Sequence, residues 1–377
     1  MKVLMSRNEL STLLNAIQNI ITQRPPMPIL SNVLIEATQD SKVTITATDL
    51  TVGIKSSAPA KVLEEGATTI PARRFAQLIK ELPVSYIELA TNEKDISQVV
   101  ADTSTFRLHG MPKVDFPELP NLEKAERIVV KQKDLKKALF KTVFAVSKEE
   151  TRYIITGVFF QTAQATALCI GTDGKRLART TIPFQSTSTT PYECIIPAKA
   201  VDEIIKNISD TDENATLHLM SDKLAIETDN TIIVTKILSG EYPEVERVIP
   251  QQCQHIVALH REELTTLLRQ IALFVSDLNV SVRFSLYENT LEIAANTANI
   301  GTGRVSMSIH YEGPRLDIAF NPIFFLDVLR HTQGEFVYLG IQDSFNPVVI
   351  SDAEFGQILS PYPSTLFILM PLRLSGS

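Results

Sequence analysis

Side chains capable of chemistry are few and poorly grouped. Of the six histidines, at 109, 218, 255, 260, 310 and 331, only His255 and His260 stand near each other, and they read as a loop and a helix start rather than as metal ligands. Cys169, Cys194 and Cys253 are odd in number and form no CxxC pair, which indicates neither a disulfide framework nor a zinc site. The acidic run from Ser209 to Asn214 opens like a calcium loop but puts Ala215 and Ser221 where such a loop needs Gly and a bidentate Glu. It reads as a solvated turn. Gly301-Thr302-Gly303 lacks the third glycine of a dinucleotide fingerprint, and GxxxxGK[ST], HExxH and GxSxG do not occur. The expectation is a protein that is not an enzyme, with no catalytic residue, no cofactor and no metal.

The elements are more informative. A chain of 377 residues exceeds one ordinary core, so two or three domains are expected. With 44% hydrophobic and 21% charged residues it reads as soluble and globular. The opening MKVLMSRNELS has one Lys and a three-residue apolar run, unlike a signal peptide. Residues 153–172 carry no charge for 20 positions but include Thr156, Gln161, Thr162, Gln164 and Thr166, which fits two strands around a polar turn rather than a membrane span. A cytoplasmic location and no membrane partner are expected.

The chain repeats. Leu10, Leu13, Leu14, Ile17, Ile20 and Ile21 form the stripe of an amphipathic helix. Adding 254 gives Leu264, Leu267, Leu268, Ile271, Phe274 and Val275; adding 125 gives Leu135, Ala138, Leu139, Thr142, Ala145 and Val146, with Thr142 the one polar lapse. A second helix type follows, as IPARRFAQLIKEL from Ile70, IPAKAVDEIIKNI from Ile196 and FNPIFFLDVLRHT from Phe320. Prolines sit where the helices start, where a missing N–H costs nothing. Strand-like runs lie between, at Lys42–Thr48, Leu217–Leu219, Ile232–Ile237 and Phe345–Ile350. Phe116-Pro117 and Tyr242-Pro243 recur 126 positions apart. The spacing predicts three domains, each of several strands plus two helices, over 1–126, 127–254 and 255–374, with a short tail at 375–377.

Charge is segregated along the same lines. Six helices taken as 6–24, 71–82, 133–148, 197–208, 261–276 and 320–333 hold 15 basic and 8 acidic residues, leaving 21 basic against 35 acidic elsewhere in a chain of net charge −7. A basic helix face in an acidic protein attracts a polyanion locally and repels it elsewhere. Two chains would supply twelve helices; side by side at roughly 10 Å they enclose an opening of about 28 Å. A DNA duplex roughly 20 Å across, with grooves about 8 Å deep, would pass without a base-reading fit. Contact would then be to phosphates, independent of sequence and sensitive to salt. A scaffold of repeats that never encloses DNA is the alternative.

The stretches QRPPMPILSNVLIEA (23–37), ATDLTVGI (47–54), TTIPARRF (68–75), ETRYIITGVFF (150–160), GTDGKRLA (171–178), SGEYPEVERVIP (239–250), FNPIFFLDVL (320–329) and MPLRL (370–374) resemble, in this order, the bacterial DNA polymerase III beta subunit family, the sliding clamps. The resemblance implies an α+β DNA clamp fold, three repeated domains each of two helices packed on antiparallel sheets, that forms a ring as a head-to-tail homodimer, encircles duplex DNA without catalysis and tethers polymerases. Implied partners are the polymerase alpha subunit, the clamp loader, and other polymerases and repair proteins that bring clamp-binding peptides. The implied peptide groove comprises Arg152, Ile155, Thr172, Gly174, Lys175, Arg176, Leu177, Pro243, Val248, Asn321, Phe324, Ile368, Met370, Pro371, Leu372 and Arg373. Implied DNA contacts are Arg24, Arg73, Tyr153 and Lys199, to which the helix charge count adds Lys136, Lys137 and Lys141. The implied subunit joint sets Phe106 and Leu108 against Leu273 and Phe274. Lys175 stands where His is common in the family, Phe324 lacks a hydroxyl often found there, and Pro322 follows Asn321; these departures bear on peptide preference. The tail Ser375-Gly376-Ser377 follows the last matching stretch.

Overall fold

The computed structural model describes residues 1–22, 25–186, 191–276, 280–353 and 363–373. The first repeat runs β1 (Lys2–Ser6), α1 (Arg7–Ile17), β2 (Asn32–Thr38), β3 (Lys42–Thr48), β4 (Val52–Pro59), β5 (Lys61–Glu64), β6 (Gly66–Pro71), α2 (Ala72–Glu81), β7 (Tyr86–Thr91), β8 (Ile96–Ala101) and β9 (Ser104–His109). The second runs β10 (Glu126–Lys131), α3 (Gln132–Val143), β11 (Gly157–Ala163), β12 (Thr166–Thr172), β13 (Arg176–Pro183), β14 (Gln185–Ser186), β15 (Tyr192–Pro197), α4 (Ala198–Asn207), β16 (Asn214–Leu219), β17 (Lys223–Glu227) and β18 (Thr231–Lys236). The third runs β19 (His255–His260), α5 (Arg261–Ile271), β20 (Val282–Tyr287), β21 (Thr290–Thr297), β22 (Gly301–Ser308), β23 (Leu316–Phe320), α6 (Pro322–His331), β24 (Phe336–Ile341), β25 (Val348–Ser351) and β26 (Thr365–Leu369).

Helix stripes and sheet alternation account for these elements. Leu10, Leu13, Leu14 and Ile17 of α1 are buried, as are Leu264, Leu268 and Ile271 of α5. The polar lapse Thr142 is fully buried and satisfies its hydroxyl by donating to Ala138 O at 2.8 Å. The uncharged stretch from Tyr153 does form two strands, β11 and β12, around a polar turn. Several expected elements are longer than those observed, α5 among them, which ends at Ile271 rather than 276. Helix α1 stops at Ile17 rather than 24, where residues 18–20 form a turn and Ile20 N donates to Ile17 O at 3.0 Å. Ala145 and Val146 lie in a turn beyond α3. Phe345–Pro347 is a turn and not strand, because Asp343 Oδ1 accepts from the Phe345 and Asn346 amides at 2.7 and 2.8 Å and so draws the backbone away from the ladder.

Two compact units result, and among the described residues the strand pairings are antiparallel. In one, residues 1–136, 184–186 and 199–237 form a five-stranded sheet, β5-β1-β7-β8-β9, and a nine-stranded sheet, β14-β10-β16-β17-β18-β4-β3-β2-β6. In the other, residues 137–183, 191–198 and those from 238 onward form an eight-stranded sheet, β15-β11-β12-β13-β26-β25-β24-β19, and a four-stranded sheet, β22-β21-β20-β23. The repeats are joined by one rule: the fourth strand of a repeat pairs with the last strand of the next. Strand β4 takes β18, with Lys55 opposite Ile232 and Gly53 opposite Val234. Strand β13 takes β26, with Arg176 opposite Leu369 and Leu177 opposite Ile368. Among the described residues the remaining fourth strand, β22, and the remaining last strand, β9, each have a neighbour on one side only.

All three cysteines are buried. Burial pushes the Cys169 and Cys194 thiols up to about 12 and Cys253 to about 11. On β12, Gly171 lies under the end of α3 so closely that an added Cβ would fall 2.1 Å from Thr142 O. Gly171→Ala should therefore destabilise the fold by about 1–3 kcal/mol, read as a lower urea midpoint with an unchanged slope.

Candidate functional site

The turn between β12 and β13 is built by two side chains. Thr172 Oγ1 donates to Arg176 O at 2.6 Å and accepts from Gly174 N at 3.1 Å, while Asp173 Oδ1 accepts from the amides of Lys175 and Arg176 at 2.9 and 3.0 Å. Gly174 takes a φ of +82°, which glycine adopts without a Cβ clash. Arg152 donates to Asp173 O at 2.8 Å, and Lys175 projects exposed from the same turn.

From this turn, β13 sends Arg176 to one face of the sheet and Leu177 to the other, as the two-residue strand period requires. Arg176 is 8% exposed; it donates to Asp327 Oδ2 at 2.7 Å, Asp173 Oδ2 at 3.1 Å and Phe144 O at 3.0 Å. Its guanidinium lies 4.6 Å from the Phe324 ring centre and 5.4 Å from that of Phe144. A buried cation with this many partners is compensated rather than costly. The adjoining helix α6 starts at Asn321, whose Oδ1 accepts from Ile323 N at 2.9 Å, with Pro322 in the first turn. His331, at the far end of α6, stacks on Phe144 at 4.0 Å. Burial lowers its pKa, outweighing the bond to Asp327 O.

Leu177 belongs to an apolar cluster with Ile170, Ile249, Cys253, Val349, Leu366 and Ile368, against which Phe159, Leu168, Tyr242, Val245, Val248 and Ile256 pack half-buried. Tyr242 stacks on Phe159 at 4.8 Å, and burial raises its phenol pKa. Pro243 is exposed beside it. Beyond β26, Met370 N donates to Lys175 O at 3.0 Å and Leu372 N to Ala319 O at 2.8 Å, leaving Met370, Pro371 and Leu372 half-buried and Arg373 exposed. Thus the terminal segment is tied to the β12–β13 turn at Met370 and to the strand leading into α6 at Leu372. The unit accordingly ties the β12–β13 turn, the β26 end and the start of α6 to one another through Arg152, Arg176, Met370 and Leu372, with Leu177, Val248 and Ile368 in the apolar cluster on the other face of β13. Ile155 is half-buried in the 3-10 turn ahead of β11, where its carbonyl accepts from Ser147 N at 2.9 Å.

The residues expected at DNA divide differently. Arg24 lies outside the described residues. Arg73, Lys137 and Tyr153 are exposed. Lys199 is paired with Asp49. Burial alone would raise the Asp49 pKa, but the bonds from Lys199 and from the Val52 and Thr51 amides hold it below the usual carboxylate range. Lys136 donates to Ile208 O at 2.8 Å, just past α4, and so acts as a helix cap. Lys141 is a correction to the charge count: it is 2% exposed and bonded to Asp352 Oδ2 at 2.9 Å, which withdraws it from any surface contact. Among the positions expected at the joint, Phe106 is 38% and Leu273 75% exposed, Leu108 is half-buried, and Phe274 packs on the core of its own unit.

Asp173, Asp327 and Phe144 were not among the expected groove residues, yet they hold Arg176 in place. Asp173 had a signal, since it sits inside the GTDGKRLA stretch; Asp327 and Phe144 are brought in only by the tertiary fold.

Family models for the N-terminal, central and C-terminal domains of the DNA polymerase III beta subunit match residues 1–120, 129–244 and 246–358. A beta sliding clamp from Chlamydia pneumoniae is 46% identical over 374 residues, covering 99% of each chain. The chain belongs to the DNA polymerase III beta subunit family. Another beta sliding clamp, from Haemophilus influenzae, is 28% identical over 375 residues, covering 99% of this chain and all of that one. The DNA polymerase III beta subunit of Pseudomonas aeruginosa superposes with a TM-score of 0.91 at 26% identity, over 99% of this chain and 100% of that one. Beta subunits of this family are non-catalytic processivity factors, and the clamp fold of three repeated α+β domains is the one described above.

The Lys199–Asp49 pair yields a titration prediction. Lys199→Ala should raise the Asp49 pKa toward the ordinary value near 3.9, measured by NMR titration of the carboxyl carbon. A depressed carboxyl stabilises the fold above its unfolded-state pKa and loses that contribution as pH falls through the folded value, so the variant should lose stability at neutral pH and converge with the parent in acid.

Proposed function

We propose that two copies of this chain close head to tail into a ring around duplex DNA, and that the ring holds polymerases and other replication proteins on the template through the groove beside β13 and β26. The observation that carries this reading is the strand left over by the joining rule. Within the chain, fourth strands pair with last strands of the following repeat; β22 and β9 are the fourth and last strands that remain, one in each unit. A second copy supplies the missing neighbour for both, giving two identical head-to-tail joints and a closed dimer in which every junction is alike. Phe106 and Leu108 on β9, with Leu273 and Phe274 beside β22, supply apolar cover for the joint. The domain limits follow as 1–126, 127–254 and 255–374.

Inside such a ring, Arg73, Lys137 and Tyr153 contact the DNA backbone together with Arg24, and Lys199 joins them by exchanging Asp49 for a phosphate. Lys136 contributes field rather than contact. The binding is electrostatic and weak, and retention comes from closure. In the groove, a peptide from the polymerase alpha subunit, the clamp loader or a repair protein lays two apolar anchors against Leu177, Val248, Ile368 and Met370, each contributing about 1.5–3 kcal/mol. After ordering costs this corresponds to roughly micromolar affinity, which lets partners exchange. Retention by topology accounts for the processivity role, which on this reading is exercised in the cytoplasm.

The protein loaded on closed circular plasmid by a matched loader should stay bound through gel filtration and leave once the plasmid is linearised. Equal loss from both templates would instead favour a scaffold that does not enclose DNA. Met370→Ala with Leu372→Ala should weaken a fluorescent polymerase-tail peptide by about tenfold or more while sedimentation still reports a dimer.

A further inference from the structure

The repeat that builds the groove is present twice, and the first copy is open. Thr48 and Asp49 form the same turn as Thr172 and Asp173: Thr48 Oγ1 donates to Val52 O at 3.0 Å and accepts from Leu50 N at 3.0 Å, and Asp49 Oδ1 accepts from Thr51 and Val52 amides at 2.9 and 2.7 Å. Leu50 takes a φ of +72° where Gly174 takes +82°. Across the second junction, Phe159, Ile170, Arg179 and Leu366 form one row of paired positions, roofed by Tyr242, Val245 and Val248. The matching row at the first junction is Leu34, Thr46, Lys55 and Ile232. Its roof, from Lys113 to Leu122, does not close down. It walls a cavity of about 850 Å³ that also reaches Val234.

The walls are fixed. Phe116 packs with Leu34 and Leu30, Lys113 is bonded to Glu36 at 2.6 Å, and Leu119 lies over Gly53, where an added Cβ would be 2.5 Å from its Cδ2. Leu119 thereby fills the place that the Leu177 side chain holds at the second junction. Lys55 is exposed in the floor, between Thr46 and Ile232, and has no ionic partner among the described residues. Glu118 on the wall is exposed and disfavours a long acidic tract.

We propose that this first-junction cleft is a second docking site for a short extended peptide, one that sets a single carboxylate on Lys55 and flanking apolar side chains on Leu34 and Ile232. The inference rests on reading the second junction as a peptide groove. Charge complementarity at Lys55 gives the two sites different preferences, so one ring subunit holds two unlike peptides at once.

A phage-displayed random 12-residue library panned on the full-length protein tests it. Enriched peptides are synthesised with a fluorophore and measured by polarisation against the parent, Lys55→Glu, Val114→Glu and the Met370→Ala/Leu372→Ala double variant; Lys55 and Val114 are exposed, so their exchange leaves the core intact. The expected result is a peptide class with one acidic residue between apolar ones, weakened about tenfold or more by Lys55→Glu and unaffected by the double variant. If every enriched peptide is lost in the double variant and indifferent to Lys55→Glu, the first-junction site is refuted while the groove reading stands. If no peptide is enriched at all, both readings fall.

Discussion

Backbone pairing between repeats is the constraint on which the rest depends. A strand at a sheet edge leaves a row of amide donors and carbonyl acceptors that must find partners or water. In this chain the edge left by one repeat is covered by the next, β4 by β18 and β13 by β26. Covering an edge in this way also draws the segments that follow each repeat, around Phe116 and Tyr242, over the seam. The candidate groove is a by-product of that seam, since a strand from one repeat lies against a strand from another with a linker across them.

Arg176 shows how the seam acquires chemistry. Its charge is drawn inward by carboxylates from the turn at Asp173 and from α6 at Asp327, and its flat guanidinium faces the Phe324 ring. The cation is therefore a fixed wall and not a mobile tether. By contrast Lys175, one residue earlier, is exposed. Adjacent positions in the chain, one in the turn and one opening the strand, thus serve opposite ends, the first sampling solvent and the second holding turn, helix and strand together.

Much of this was legible in the sequence because it is periodic. The stripes at Leu10 and Leu264, the uncharged hairpin at 153–172 and the Phe116 and Tyr242 recurrences follow from local spacing, and local spacing decides which face is buried. The ends of elements were less legible, since α1 and α3 stop where turn bonds intervene. Charge was the least legible. Counting basic residues treats each as surface, but Arg7 bonds to the carbonyls of Ile79 and Lys80, Arg261 to Gly334 and Lys136 to Ile208, while Lys141 is buried with Asp352. Helix ends expose carbonyls that need donors, and a Lys or Arg on a neighbouring helix is a convenient one. The partner of such a cation lies 70 or more residues away, which no window along the chain reveals.

The depth of the cysteines has a practical side. The thiolate is the species that reacts with oxidants and alkylating reagents, and thiols held at about 11 to 12 supply almost none of it near neutrality. Buried as they are, the three thiols should react slowly with maleimides and peroxide while the protein stays folded. A cysteine introduced on an exposed strand would be the sole bright handle for attaching dyes or spin labels, with no need to remove the native three.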